Sequence, residues 1–78
     1  MGQKITNATQ YSFRKGYGKV PQNLSLEVRM KIQTVLRITS TPQWNRRLNG
    51  EVIPNLEEAK NIETVFAEYG ITEIWGAE

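Results

Sequence analysis

The residues best suited to recognition chemistry fall in one nine-residue stretch, Thr41-Pro42-Gln43-Trp44-Asn45-Arg46-Arg47-Leu48-Asn49. Gln43 can pair bidentately with adenine in a major groove, and Arg46 or Arg47 with guanine. Asn45 shares this polar surface. Ser40 and Thr41, at its entrance, can donate to phosphate or touch a base edge. Catalysis has far fewer candidates. The chain has no histidine and no cysteine, which removes the commonest general base, the thiolate nucleophile and most zinc ligands. Glu57 and Glu58 are adjacent, but they sit where the start of a helix favours negative charge, and that structural role is sufficient. Gly16-Tyr17-Gly18 is too short for a phosphate-cradling loop. We therefore expect no enzyme, with no catalytic residue, cofactor, metal site or small-molecule ligand.

Three helices are expected to position these side chains. Thr41 reads as an N-cap and Pro42 as a first helical residue, because the hydroxyl accepts an orphan amide and proline has none to satisfy. With Gly50 as the stop, the predicted helix covers 42–49, and Trp44 and Leu48 form its narrow inner stripe. A preceding helix over about 25–37 places Leu24, Val28, Ile32, Val35 and Leu36 on one face, with Ser25 or Asn23 as its cap. Arg29, Lys31 and Arg37 would then be free to reach phosphates. A third helix over about 55–69 starts at Asn55, with Glu58 completing a capping box. Its stripe is Leu56, Ala59, Ile62, Val65, Phe66 and Tyr69, and Gly70 ends it. The tail residues Ile71, Ile74 and Trp75 are expected to cover the core or a partner chain.

Residues 1–22 show no helical period. Tyr11, Phe13 and Tyr17 around Gly16 and Gly18 allow a short hairpin across 11–20, and a loose arm is the alternative. Lys4, Arg14, Lys15 and Lys19 make the segment basic in either case. The expected fold is thus all-α: a basic, non-helical or hairpin N-terminal arm over 1–22, then a small three-helix helix-turn-helix domain over 23–78.

Where the charges lie is more informative than the net +2. Residues 1–50 hold nine Lys and Arg against one acid, Glu27, a net of +8; residues 51–78 hold Lys60 against seven acids, a net of −6. A basic front half suits a polyanion. The alternative is that the two halves simply neutralise each other within the fold. No run of 18 apolar residues is present to span a membrane, and the first residues lack a signal-like apolar core, so a cytoplasmic protein is expected.

The stretch Ile38 to Gly70 also carries a resemblance. Arg47-Leu48-Asn49-Gly50, then Pro54-Asn55-Leu56-Glu57-Glu58, then a helix ending Phe66-Ala67-Glu68-Tyr69-Gly70-Ile71, resembles the later part of a lambda-repressor-like (Cro/C1, Xre-type) helix-turn-helix domain. The resemblance implies sequence-specific binding of double-stranded DNA and a small transcriptional regulator, with Ser40, Thr41, Gln43 and Arg46 near the duplex. A second copy of the chain is a candidate partner. Two features depart from the family pattern. No helical period precedes the first helix of the motif, and no glycine marks its turn, where Thr39 or Ser40 stands. The other readings are a protein-interaction adaptor, phage-type or antitoxin-like, without nucleic-acid function, and RNA stacking by the aromatic arm Tyr11–Lys19.

Overall fold

The computed structural model describes residues 10–76. Within them the chain is helical and has no strand, as expected of a small all-α domain. A one-turn helix α1 (Arg14–Tyr17) and a 3-10 turn (Gln22–Leu24) precede α2 (Ser25–Leu36), α3 (Thr41–Asn49) and α4 (Leu56–Ala67). No helix among these residues is long and apolar enough to cross a membrane. Lys4, part of the expected basic arm, lies outside the described residues.

Over residues 10–22 the structure corrects the expectation of a non-helical or hairpin arm separate from the domain; residues 1–9 of that arm lie outside the described residues. Phe13 is buried to 1% exposure, and its ring meets Trp44, Phe66 and Trp75 at centroid distances of 5.6, 6.2 and 6.4 Å. Val20 is buried in the same core. A hairpin would spend the backbone groups of residues 11–20 on each other. Here Tyr17 and Gly18 instead donate to the carbonyls of Phe13 and Arg14, at 3.0 and 2.8 Å, closing a helical turn. The outward-facing backbone finds its partner in the tail. Gly16 N donates to Ile74 O at 3.0 Å, Lys15 N to Gly76 O at 2.9 Å and Gly76 N to Ser12 O at 2.7 Å. The tail therefore covers the core, with Ile71 and Ile74 buried. Gly16 is required for this clasp, because a Cβ there would lie 2.9 Å from the Ile74 Cα.

The remaining core is built from α2 and α4, which pack together through Val28, Ile32 and Leu36 on one side and Ile62, Val65 and Phe66 on the other. This matches the predicted stripes, except at Leu56, which is 74% exposed. Leu56 is the first residue of α4 and lines a surface cleft with Tyr11, Pro54, Ala59 and Trp75. The α4 capping box forms as expected, with Glu58 N donating to Asn55 Oδ1 at 2.8 Å and Asn55 N to Glu58 Oε1 at 3.1 Å. The 3-10 turn runs directly into α2, so neither Ser25 nor Asn23 caps it; Ser25 Oγ donates back to Gln22 O at 3.0 Å.

The turn between α2 and α3 holds four residues, Arg37, Ile38, Thr39 and Ser40. Arg37 adopts a left-handed conformation, φ 60° and ψ 42°, so α2 stops one residue short of its predicted end. The Ile38 amide reaches the Gln33 carbonyl at 3.0 Å, and the Arg37 amide reaches Thr34 at 3.2 Å. These two bonds satisfy carbonyls left open at a helix end, in the pattern glycine usually provides. Gly50 does the same for α3 at φ 82°, with Glu51 N on Arg46 O at 2.9 Å.

Candidate nucleic-acid interface

α3 is anchored on one side and open on the other. Trp44 is 3% exposed, with Tyr17 edge-on at 5.3 Å and Phe13 at 5.6 Å. Leu48 packs at the margin of the core. Ser12, itself buried, donates to the Leu48 carbonyl at 2.7 Å and so fixes the C-terminal end of α3. Thr41, Pro42, Gln43, Asn45 and Arg46 are exposed. At 100° per residue, Arg46 lies opposite the Trp44–Leu48 stripe, flanked by Pro42 and Gln43.

Ser40, not Thr41, caps α3. Its Oγ accepts from Gln43 N at 3.3 Å, and the Gln43 side chain closes the box. Thr41 becomes the first helical residue and Pro42 the second, where proline is equally tolerated because early helical amides have no internal acceptor. Gln43 Oε1 accepts from Thr39 N, Ser40 N and Ser40 Oγ at 3.2, 3.3 and 3.2 Å. With that oxygen committed, the amide NH2 is what Gln43 has left to donate. Bidentate adenine pairing of the kind expected would require the box to open.

The cations expected at the site divide into two groups. Lys31 and Arg47 are drawn to α4. Lys31 Nζ donates to Glu68 Oε1 at 3.0 Å and lies 5.1 Å from the Tyr69 ring centroid. Arg47 Nη1 and Nη2 donate to the two oxygens of Glu58 at 3.1 and 3.2 Å, with side-chain exposures of 15% and 24%. That fork holds the Glu58 carboxyl below its ordinary range. Lys15 and Lys19 meet Glu73 at 3.8 and 3.3 Å, and the Lys19 contact, above all, depresses the Glu73 carboxyl. Internal neutralisation of the two halves is thus carried by three lysines and one arginine.

The other group is all arginine. Among the described residues of the front half, the cations without a carboxylate within 4.0 Å are Arg14, Arg29, Arg37 and Arg46, and each lies on α3 or beside it. Arg29 stacks over the Trp44 ring at 5.2 Å and donates to Thr41 Oγ1 at 3.3 Å and to Gln33 Oε1 at 3.3 Å. Arg37 occupies the turn leading into α3. Arg46 is on its outer face. Arg14, reached from α1, donates to Asn49 Oδ1 at 2.7 Å at the far end of α3. Neither Arg14 nor Asn49 is given a contact of its own by the sequence, although Asn49 closes the recognition stretch and Arg14 belongs to the basic segment. They are 35 residues apart, and no local pattern joins them. Tyr11, Phe13 and Tyr17 are half-buried or buried, which takes their rings out of the role of an exposed stacking platform.

Among the described residues no group of three or more metal-ligating side chains occurs. No family model matches the chain, and neither a curated protein nor a solved structure matches it.

Proposed function

We propose that this chain binds double-stranded DNA through the outward face of α3 and acts as a small transcriptional regulator. One observation carries the reading: among the described residues the fold sets the front-half lysines Lys15, Lys19 and Lys31 against back-half carboxylates, yet leaves four arginines around α3 without one. A guanidinium with no carboxylate partner keeps its charge and its remaining donors available for phosphate, and the fork of Arg46, which has no side-chain hydrogen bond among the described residues, is open to guanine O6 and N7. Arg46 is assigned to base edges. Arg14, Arg29 and Arg37 are assigned to phosphates flanking the groove, and Thr41 and the Gln43 amide to the entrance of the helix. Asn45 stays on the exposed polar surface. Lys31 and Arg47 are withdrawn from the contact set, since each is held by α4.

The test is retention of duplex DNA from a random-sequence library at two salt concentrations. Log affinity is expected to fall linearly with log salt, at a slope set by the number of phosphates neutralised. Arg37→Ala with Arg46→Ala should reduce retention about tenfold or more, while Lys31→Ala should leave it nearly unchanged. No retention at low salt, with helicity intact, overturns the reading and leaves the interaction adaptor in its place.

A further inference from the structure

Closing the α3 capping box decides which end of the Gln43 amide is left to act. Gln43 Oε1 accepts from Thr39 N, Ser40 N and Ser40 Oγ at 3.2, 3.3 and 3.2 Å, more donors than its lone pairs. The partners also fix which end lies there. Backbone N–H groups can only donate, so an NH2 in that place would face two donors. Gln43 is exposed, and its NH2 is the group it can bring to a ligand.

The rest of the outward face follows the same rule. With Arg46 as its centre, Pro42, Gln43 and Asn49 all lie within about 60° at 100° per residue. Pro42 has no hydrogen-bonding side chain. Arg46 is exposed and carries donors alone. Asn49 has an amide oxygen, but that oxygen accepts from Arg14 Nη1 at 2.7 Å. Nearer the core, Thr41 Oγ1 accepts from Arg29 Nη2 at 3.3 Å. Asn45 lies about 100° round from Arg46, on the flank of the face. The acceptors of the face are thus engaged from within the chain, and donors are what remain.

A row of donors tells base pairs apart in a major groove. Guanine shows two acceptors, N7 and O6. Adenine shows one acceptor beside its N6 donor, and cytosine shows the N4 donor. A guanidinium or a single nitrogen with several hydrogens, as on lysine, can bond both guanine acceptors. Adenine and cytosine set a donor of their own against the same group.

We propose that the outward face of α3 reads by donors and selects guanine through Gln43 as well as through Arg46, with the Ser40–Gln43 box as the device that fixes the choice at Gln43. The proposal rests on duplex binding by α3 and adds which base edge that helix takes.

The test is a random-sequence duplex library retained by the wild-type chain, by Gln43→Glu and by Gln43→Lys, and then sequenced, with thermal melting of each protein as the folding control. Glutamate keeps the box, since it is a standard partner of a serine cap, and puts an acceptor where the NH2 stood. Lysine abolishes the box and keeps a donor. The position read by residue 43 is the one whose preference differs between the two variants. Wild type should favour guanine there by at least about fivefold over adenine. Gln43→Lys should keep guanine although it melts lower. Gln43→Glu should melt no lower than wild type and exchange guanine for cytosine, whose N4 donates to a carboxylate. Adenine at that position in the wild-type motif, or a motif that Gln43→Glu leaves unchanged, overturns the assignment while duplex binding stands. No retention of any duplex by the wild-type chain overturns both.

Discussion

Arg47 of α3 and Glu58 of α4 are joined by two parallel hydrogen bonds, Nη1 to Oε1 at 3.1 Å and Nη2 to Oε2 at 3.2 Å. The same Oε1 also accepts the Asn55 amide in the α4 capping box. One carboxylate thus closes the start of α4 and ties the end of α3 to it. The neighbouring Arg46 has no such tether and lies exposed. Two adjacent arginines therefore do different work.

Their separation gives the first prediction. Arg47→Ala leaves a half-buried carboxylate without its fork and should destabilise the fold by about 1–3 kcal/mol, the range for a charge-assisted hydrogen bond. Arg46→Ala should change stability by no more than about 0.5 kcal/mol, as an exposed substitution does, while weakening duplex binding. Urea denaturation of both variants, beside DNA retention, measures the split.

The second prediction concerns acid. Glu58 and Glu73 have folded pKa values held below the ordinary carboxylate range, chiefly by hydrogen bonds from Arg47 and Lys19. Depressed carboxyls contribute stability that is fully present above the unfolded pKa of about 4.3. It is lost as pH falls through the lower folded values. Denaturation midpoints should be flat from neutrality to mildly acidic pH, then drop. Glu58→Gln should flatten that drop even in high salt, whereas the exposed Glu73 contribution should fade with added salt.

Gly16 supplies a third. An alanine methyl there would sit 2.9 Å from Ile74 Cα, so the tail must move away from α1. Loss of about 1–3 kcal/mol is expected, the usual cost of overpacking. Proteolytic release of the residues after Gly70 should also become faster. Unchanged thermal stability would contradict the clasp between the termini.

Arg37 supplies the fourth. A left-handed conformation costs a non-glycine residue roughly 1–2 kcal/mol, and glycine returns part of that gain through its greater freedom when unfolded. Arg37→Gly should therefore raise stability by about 0.5–1 kcal/mol, yet lower duplex affinity by removing the phosphate contact proposed for Arg37. Both changes are read from one preparation, by thermal melting and by retention. A variant that melts higher and binds as well as wild type would remove Arg37 from the interface.

Much of the helical framework was legible because its signals are local. Asn55 with Glu58, Pro42 between hydroxyls and Gly50, and the spacing of Val28, Ile32 and Leu36 each act within a few residues of backbone. Hydrogen-bond geometry and helical period therefore settled where α2, α3 and α4 run, to within a residue or two. The turn of α2 was harder to read, because an arginine holds the left-handed position that glycine usually signals.

Tertiary structure decided what the local signals could not reach. Phe13 makes its segment part of the core only because Trp44, Phe66 and Trp75 surround it, and α1 finds its backbone partner 58 residues on, where Gly16 meets Ile74. Allocation of charge was equally non-local. The sequence determined that a basic half precedes an acidic one. Folding determined which cations the acids neutralise: Lys15, Lys19, Lys31 and Arg47 come within reach of Glu73, Glu68 and Glu58. Coulombic pairing depends on distance in space, so only the packed chain could separate those four from the arginines left without a carboxylate around α3.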